Sequence, residues 1–297
     1  MTDQPAIRPN PTSRSQLRGL FRSTGFRPRR ERGQTFLVDE NVARKVVRAA
    51  DLQGTDPVLE IGPGAGAVTR LLAAESRRLV AIEIEPVLVG ILGQTLGAGA
   101  QLVLADFLKV DLGQLLSSEP PGAWKCVANL PYAITGPAIL RLLEQAHWFE
   151  RLVLMVQQEV ADRLLAPAGN RSRGLLTVLA EASCSVSSAG TVSRHCFYPQ
   201  PKVDSAILVL LVRRPPLVPS ELQGAFRSVV KAAFSSRRKT LANSLSGPTG
   251  LGLDKQAAAR LLTDAQIEPA RRAESLTVQE FLRLAEQFVP VRGGAEA

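Results

Sequence analysis

Cysteine and histidine are scarce in this chain: three of one and two of the other among 297 residues. Cys126, Cys184 and Cys196 are odd in number and show neither CxxC nor metal-ligand spacing, which argues against a disulfide framework and a structural zinc site. Reduced thiols in a cytoplasm are the plain expectation, and no metal is expected. His147 and His195 stand alone, with no catalytic partner at a telling spacing. No apolar run approaches the ~20 residues of a membrane span. The opening MTDQPAIRPNPTSRSQ has no apolar stretch after its charges, so it does not read as a secretory signal. Internal repeats are absent. What is present is ordinary for a globular protein, 45% hydrophobic and 21% charged, in a chain long enough for two domains with a sizeable core.

The charge is less ordinary. A net +9 concentrates a protein on polyanions. The basic residues cluster at Arg27, Arg29, Arg30 and Arg32, at Arg213–Arg214, at Arg237, Arg238 and Lys239, and at Arg271–Arg272. Any one such run is ordinarily a solvated face. Several of them beside catalytic motifs point to nucleic acid.

Residues 1–32, rich in Pro, Ser, Thr and Arg, read as a basic, mobile arm with a short helix around Leu17–Phe21. Beyond them, short apolar runs at Pro57–Ile61, Leu79–Ile84, Gln101–Leu104, Lys125–Ala128 and Leu152–Val156 alternate with helix-length segments. That alternation predicts a parallel sheet covered by helices on both faces. Cys184–Ser188 and Ser205–Val212 add two strands with no helix between them, so an antiparallel pair at one edge is expected. Arg-Pro-Pro-Leu-Val-Pro follows Arg213 as a stiff connector. From 215 to 297 the apolar spacing is helical, with Asp254 and Thr277 as expected N-caps. The predicted division is therefore 33–214, an α/β domain, and 215–297, a helical one.

Two motifs carry chemistry. Val58-Leu-Glu-Ile-Gly62-Pro-Gly64-Ala-Gly66 is a buried strand running into a glycine turn that opens a helix, the place where such sheets bind nucleotides. Glu83, near the end of the next strand, is placed to accept from ribose hydroxyls. Gly62-x-Gly64-x-x-Ala67 also fits a dinucleotide fingerprint. Glu60, facing a cationic methionine end, and Asp106, facing an adenine amine, tilt the reading to S-adenosylmethionine. The second motif, Asn129-Leu130-Pro131-Tyr132, follows the fourth strand. An exocyclic adenine amine is a poor nucleophile because its lone pair is conjugated with the ring. The Asn129 side-chain oxygen and the Leu130 carbonyl can grip the two amine hydrogens and aim that pair. Pro131 fixes its own φ and holds the carbonyl in place, and Tyr132 offers a face for stacking. A bland alternative remains, in which Asn129 caps a turn and Pro131 ends a strand.

Together with Gly33-Gln-Thr-Phe-Leu37, Gln157-Gln-Glu-Val-Ala-Asp-Arg163, Phe197-Tyr-Pro-Gln-Pro-Lys-Val-Asp-Ser205 and Phe234-Ser-Ser-Arg-Arg-Lys-Thr-Leu-Ala-Asn243, these motifs resemble the KsgA family of ribosomal-RNA small-subunit adenine dimethyltransferases. The likeness runs from about Leu17 to Phe288. It implies a Rossmann-like class I methyltransferase domain with a small all-α domain, acting on two adjacent adenines near the 3′ end of small-subunit rRNA; a monomer is expected separately. It implies cofactor contacts at Thr35, Leu37, Gly62, Glu83, Asp106 and Asn129, with Phe197 stacking on the base opposite Tyr132. Arg237, Arg238 and Lys239 would contact RNA phosphates. Thr35, Ala133, Gln158 and Arg173-Gly174 depart from the family pattern. Three other readings compete: a resistance-type methylase of large-subunit rRNA, a non-catalytic assembly factor, and a nicotinamide oxidoreductase, which lacks a credible hydride site.

Overall fold

The computed structural model describes residues 10–29, 33–96 and 99–293, which fall into two compact units. One comprises Met1–Ala161 with Ser187–Val212, the other Asp162–Val186 with Arg213–Ala297.

The first unit opens with α1 (Arg14–Ser23), the two-residue β1 (Phe36–Leu37) and α2 (Glu40–Ala50). Then come β2 (Pro57–Ile61), α3 (Thr69–Glu75), β3 (Arg78–Glu83), α4 (Pro86–Leu96), β4 (Gln101–Leu104) and α5 (Leu112–Leu116). β5 (Trp124–Asn129), α6 (Thr135–Glu144) and β6 (Phe149–Gln157) follow. After α7 (Gln158–Leu164), where the chain passes to the second unit, and α8 (Leu175–Ser183), which belongs to that unit, β7 (Cys184–Val192), β8 (Phe197–Tyr198) and β9 (Ser205–Val212) complete the strands. Seven of them form one sheet in the order β4-β3-β2-β5-β6-β9-β7. The pairs within β4-β3-β2-β5-β6 are parallel, while β9 runs antiparallel to β6. All seven expected strands are there, and the last two lie at one edge as expected.

β2 and β5 are buried almost throughout because both faces of the sheet are covered. α2 shows how one cover is made. Asp39 caps it by accepting from the Val42 amide at 3.0 Å, and Ala43, Val46, Val47 and Ala50 form the stripe that joins Val58, Val127 and Val153 in the core. The register aligns Ile61 with Ala128 and Glu83 with Leu104, so the loops after β2, β3, β4 and β5 gather at one carboxyl edge.

Residues 10–29 depart from the mobile arm that composition suggested. Leu17 and Phe21 lie four apart on α1 and are buried with Phe26, Phe36, Leu88 and Ile91. Phe21 meets the Phe26 and Phe36 rings at 4.9 and 4.8 Å between centroids. Three large apolar side chains outweigh a polar composition once they share a face. Arg30 and Arg32 of the expected basic cluster, and residues 1–9 of the arm, lie outside the described residues.

The second unit is helical. It takes in α9 (Gln223–Ala233), α10 (Leu241–Leu245), α11 (Lys255–Asp264) and α12 (Val278–Gly293), around Phe226, Val229, Leu261, Phe281 and Leu284. Asp254 caps α11 through the Ala257 amide at 2.7 Å. Thr277 and Glu280 form a reciprocal capping box on α12, each accepting from the other's backbone amide. The unit also includes Asp162–Val186, which the division near 215 left with the α/β domain. Arg173 is the reason: its side chain is 1% exposed and donates to Glu181 at 2.6 Å, to the Ala166 carbonyl at 3.1 Å and to the Leu276 carbonyl at 3.2 Å. A buried guanidinium is tolerated only when its donors are matched, and here the matching carbonyls tie the two segments together.

Among the described residues no helix is long and apolar enough to cross a membrane. No His, Cys, Asp and Glu group among them is arranged to hold a metal.

Candidate active site

The turn after β2 takes the backbone through positive φ at Gly62 (68°) and Gly64 (60°), a region that disfavours any side chain. A Cβ on Gly64 would also stand 3.1 Å from the Phe36 ring. The bare turn walls a cavity of ≈ 390 Å³ that also takes in Thr35, Leu37, Glu60, Glu83, Asp106 and Asn129. That volume suits a nucleoside-sized ligand.

Two carboxylates govern its electrostatics. Glu83 accepts from the Gly64 amide at 3.1 Å through Oε2, and from the Ile84 and Glu85 amides at 2.9 and 3.0 Å through Oε1. Burial pushes its pKa up, these amides oppose the shift, and the neighbouring Glu85 adds to it. Glu60 is 3% exposed, and its Oε2 has no hydrogen-bond partner. Burial raises its pKa to about 8; Thr69 opposes this and the charge of Glu83 reinforces it. The Thr69 hydroxyl itself lacks a partner at bonding distance, so its opposition is weak and burial decides. An orphaned carboxyl oxygen lining a cavity is the mark of a site awaiting a cationic or donor group. Asp106 also lines the cavity, its Oδ1 accepting from the Leu108 amide at 2.9 Å. Ile84, 55% exposed, and Phe107 supply apolar walls nearby.

The loop after β5 borders the same cavity through Asn129, Leu130 and Pro131. The Asn129 amide nitrogen points at the Thr35 carbonyl, at a long 3.5 Å, and no donor among the described residues reaches its Oδ1. Leu130 is anchored by its amide to the Met155 carbonyl at 3.1 Å. The Pro131 carbonyl accepts from the Ile134 amide and the Thr135 hydroxyl, which turns the chain into α6. Gly33 packs so closely that a Cβ there would sit 2.8 Å from the Tyr132 nitrogen. The segment 33–37 is thus a second wall of the site, braced on the loop it faces. Tyr132, half-buried, shares a hydrogen bond with Ser205 at 3.3 Å. Burial raises its phenol pKa, so the hydroxyl stays protonated.

The structure brings Thr35, Leu37, Gly62, Glu83, Asp106, Asn129, Leu130 and Pro131 to one cavity, with Tyr132 beside it. Phe197 does not fit its expected role. It is 1% exposed, packed in the core with Leu37, Val192 and Ile207. The cause is register: β8 pairs antiparallel with β1, Leu37 against Phe197 and Phe36 against Tyr198, and alternation turns Phe197 inward. Arg237, Arg238 and Lys239 lie exposed in the turn between α9 and α10, in the other unit, with Arg237 donating to the Arg171 carbonyl. His195 is exposed and outside the cavity. Ala133 lines the cavity with only a methyl group, whereas Gln158, whose backbone amide bonds the Asp204 carbonyl at 3.0 Å, lies outside it.

Sequence reading missed two braces. Ser205 ends the Phe197–Ser205 motif and holds Tyr132; a hydroxyl at the end of a motif was the available signal. Arg141 on α6 donates to the Leu108 carbonyl at 2.7 Å and to the Val110 carbonyl, and lies over the Phe107 ring. It locks the loop that carries Asp106, and no local pattern announces it.

A family model for ribosomal RNA adenine dimethylase matches residues 25–289. The ribosomal RNA small subunit methyltransferase A of Pelotomaculum thermopropionicum is 41% identical over 286 residues, 93% of this chain and 97% of the relative. Among solved structures, a dimethyladenosine transferase from Plasmodium falciparum superposes with a TM-score of 0.71 at 25% identity, over 86% of this chain and 97% of the other. The 23S rRNA methyltransferase ErmE gives 0.63 at 29% identity, over 85% and 98%.

Proposed function

The chain belongs to the ribosomal RNA adenine dimethylase family, and on that footing we propose that it dimethylates two adjacent adenines near the 3′ end of small-subunit rRNA at their exocyclic N6 amines. The carrying observation is one cavity that combines an orphaned buried carboxylate with the Asn129-Leu130-Pro131-Tyr132 loop on its rim. A large-subunit target is less favoured, because the small-subunit relatives are about 40% identical while ErmE is 29% identical.

The residues present fit S-adenosylmethionine, which supplies an electrophilic methyl on a sulfonium. Glu60, with its free oxygen, would meet the cationic amine of the methionine end. Glu83 retains lone pairs beyond those used by the three amides, and these would accept from the ribose. Asp106 would accept from the cofactor's adenine amine against the apolar face of Ile84. Thr35, Leu37 and Gly62 complete the wall.

At the transfer end, the Asn129 amide is oriented by the Thr35 carbonyl so that Oδ1 is left to accept. With the Leu130 carbonyl it takes the two hydrogens of the target amine, drawing the nitrogen lone pair out of conjugation. Pro131 and the Met155 carbonyl hold that backbone oxygen still. Tyr132 positions the base, its own ring steadied by Ser205. No strong base is required, since the amine sheds its proton readily once cationic, so positioning and electrostatics carry the rate. Arg237, Arg238 and Lys239 would neutralise rRNA phosphates. The reading carries with it a monomer acting in the cytoplasm, where ribosomal subunits are assembled.

Purified protein, labelled S-adenosylmethionine and unmethylated small subunits test the reading. Labelled dimethyladenosine from the 3′-end hairpin is the expected product. Label confined to large-subunit RNA, or RNA binding without label, would overturn it.

A further inference from the structure

The first unit carries a second concentration of positive charge, outside the cofactor cavity but next to it. Residues 10–29 hold five arginines, at 14, 18, 22, 27 and 29, and no carboxylate. All five are exposed. Arg14, Arg18 and Arg22 recur every four residues along α1, while Leu17 and Phe21 turn the other face into the core. Arg14 pins the helix by donating to the His195 and Phe197 carbonyls at 2.8 and 3.3 Å. Beside it, Arg18, Arg22, Arg27, Gly25, Pro28 and Tyr198 line a groove of ≈ 510 Å³. The Arg18 guanidinium lies 4.9 Å over the centre of the Tyr198 ring. No carboxylate among the described residues pairs with Arg18, Arg22 or Arg27.

Like charges at this spacing repel and weaken a helix, so an external anion is the natural counterweight. The aromatic platform narrows its chemistry. Tyr198, half-buried and backed by the Phe21 ring at 6.4 Å, holds the Arg18 guanidinium flat, and the exposed Arg18 gives a plane on which an unstacked base can lie. A lipid surface fits less well, because the apolar face of α1 is already spent in the core and offers nothing to insert. Position narrows it further. Phe36 pairs with Tyr198 across the β1–β8 ribbon and also lines the cofactor cavity, so the groove and the cavity share one thin partition.

We propose that this groove binds a single-stranded segment of the substrate RNA next to the target adenine. Arg18, Arg22 and Arg27 hold its phosphates, and one base stacks on the Arg18–Tyr198 platform. The proposal rests on the reading of the protein as an RNA methyltransferase and deepens it.

The test uses the full chain and a fluorescein-labelled single-stranded oligoribonucleotide of on the order of 10 nucleotides. Anisotropy titrations across a salt series compare wild type with Arg18→Ala/Arg22→Ala/Arg27→Ala and with Arg18→Lys/Arg22→Lys/Arg27→Lys. Single-strand contacts each contribute roughly 0.7 to the slope of log affinity against log salt, so losing three should lower it by about 2 and weaken binding about 100-fold at 0.1 M salt. The lysine variant should keep the slope but lose several-fold in affinity, because the stacking plane is gone. A Tm within a few degrees of wild type shows that the fold is kept. An alanine variant with unchanged slope and affinity overturns the proposal. So does loss of binding to vesicles of phosphatidylserine with RNA binding intact. If wild type methylates small subunits while the alanine variant binds RNA normally, the groove fails and the functional reading stands. If wild type yields no methyladenosine but the variant loses RNA, the reverse holds.

Discussion

Glu60→Gln tests the cofactor cavity by proton linkage, with no RNA present. The side chain is fully enclosed, its pKa lies at about 8, and the ordinary value is 4.5. A carboxyl whose folded value lies above its unfolded value holds its proton more tightly when folded. Below about pH 4.5 both states are protonated and nothing is lost. As pH climbs to 8 the unfolded chain ionises first, and stability falls by about 1.4 kcal/mol per pH unit. The penalty is then on the order of 3 kcal/mol at pH 7 and about 5 kcal/mol above pH 8. Glutamine keeps the shape and removes the titration. Melting curves from pH 5 to 9 should show wild type falling relative to the variant by roughly 5–10 °C. Saturating S-adenosylmethionine should flatten the wild-type slope, because its cationic amine favours the ionised carboxylate. In calorimetry the variant should bind the cofactor about 10–100-fold more weakly, the cost of a charged hydrogen bond. Parallel melting profiles of the two proteins across that range would refute this account of Glu60.

Asn129→Ala should lower methyl transfer to small subunits by at least about 10²–10³-fold, the usual cost of one preorganised polar group, with RNA affinity within a few fold. Near-normal turnover in a filter assay would break the proposed mechanism. Replacing Arg237, Arg238 and Lys239 with alanine should weaken RNA binding and lower its salt slope by about 0.7–0.9 per lost contact; an unchanged slope would make them a merely solvated turn. Glu280, held at a pKa of about 2 against 4.5 because the Arg271 hydrogen bonds and the Thr277 cap outweigh its burial, adds stability that is complete above pH 4.5 and lost as pH falls towards 2. Glu280→Gln should therefore destabilise the helical unit by on the order of 1–2 kcal/mol at pH 7 and by little near pH 2, read as a shift in urea midpoint.

The sheet was legible because its strands are buried on both faces, and uninterrupted runs such as Val58–Ile61 mean little else between turn signals. The cofactor wall was legible for a related reason: positive-φ glycines and carboxylates at strand ends are local facts. Long-range register was not. β1 and β8 are two residues each, too short for any periodicity to show, yet their pairing decides that Phe197 enters one core cluster and Tyr198 packs half-buried against another. Composition misled at the amino terminus, where Leu17, Phe21 and Phe26 are few but converge on Phe36. Arg173 misled by identity, since a guanidinium is ordinarily a surface group and here its partners lie at Ala166, Glu181 and Leu276, the last far along the chain.

The bond from the Gly64 amide to Glu83 has a kinetic meaning. The glycine turn is held onto the end of β3 by the chain's own atoms, so little of that turn is left to be ordered by a ligand. Encounter then resembles entry into a rigid pocket, and differences in affinity among variants of this wall should show up in how long the cofactor stays rather than how fast it enters. For an enzyme whose reading calls for four methyl transfers on one hairpin, residence time of spent and fresh cofactor is the quantity that sets how many transfers occur before the RNA departs.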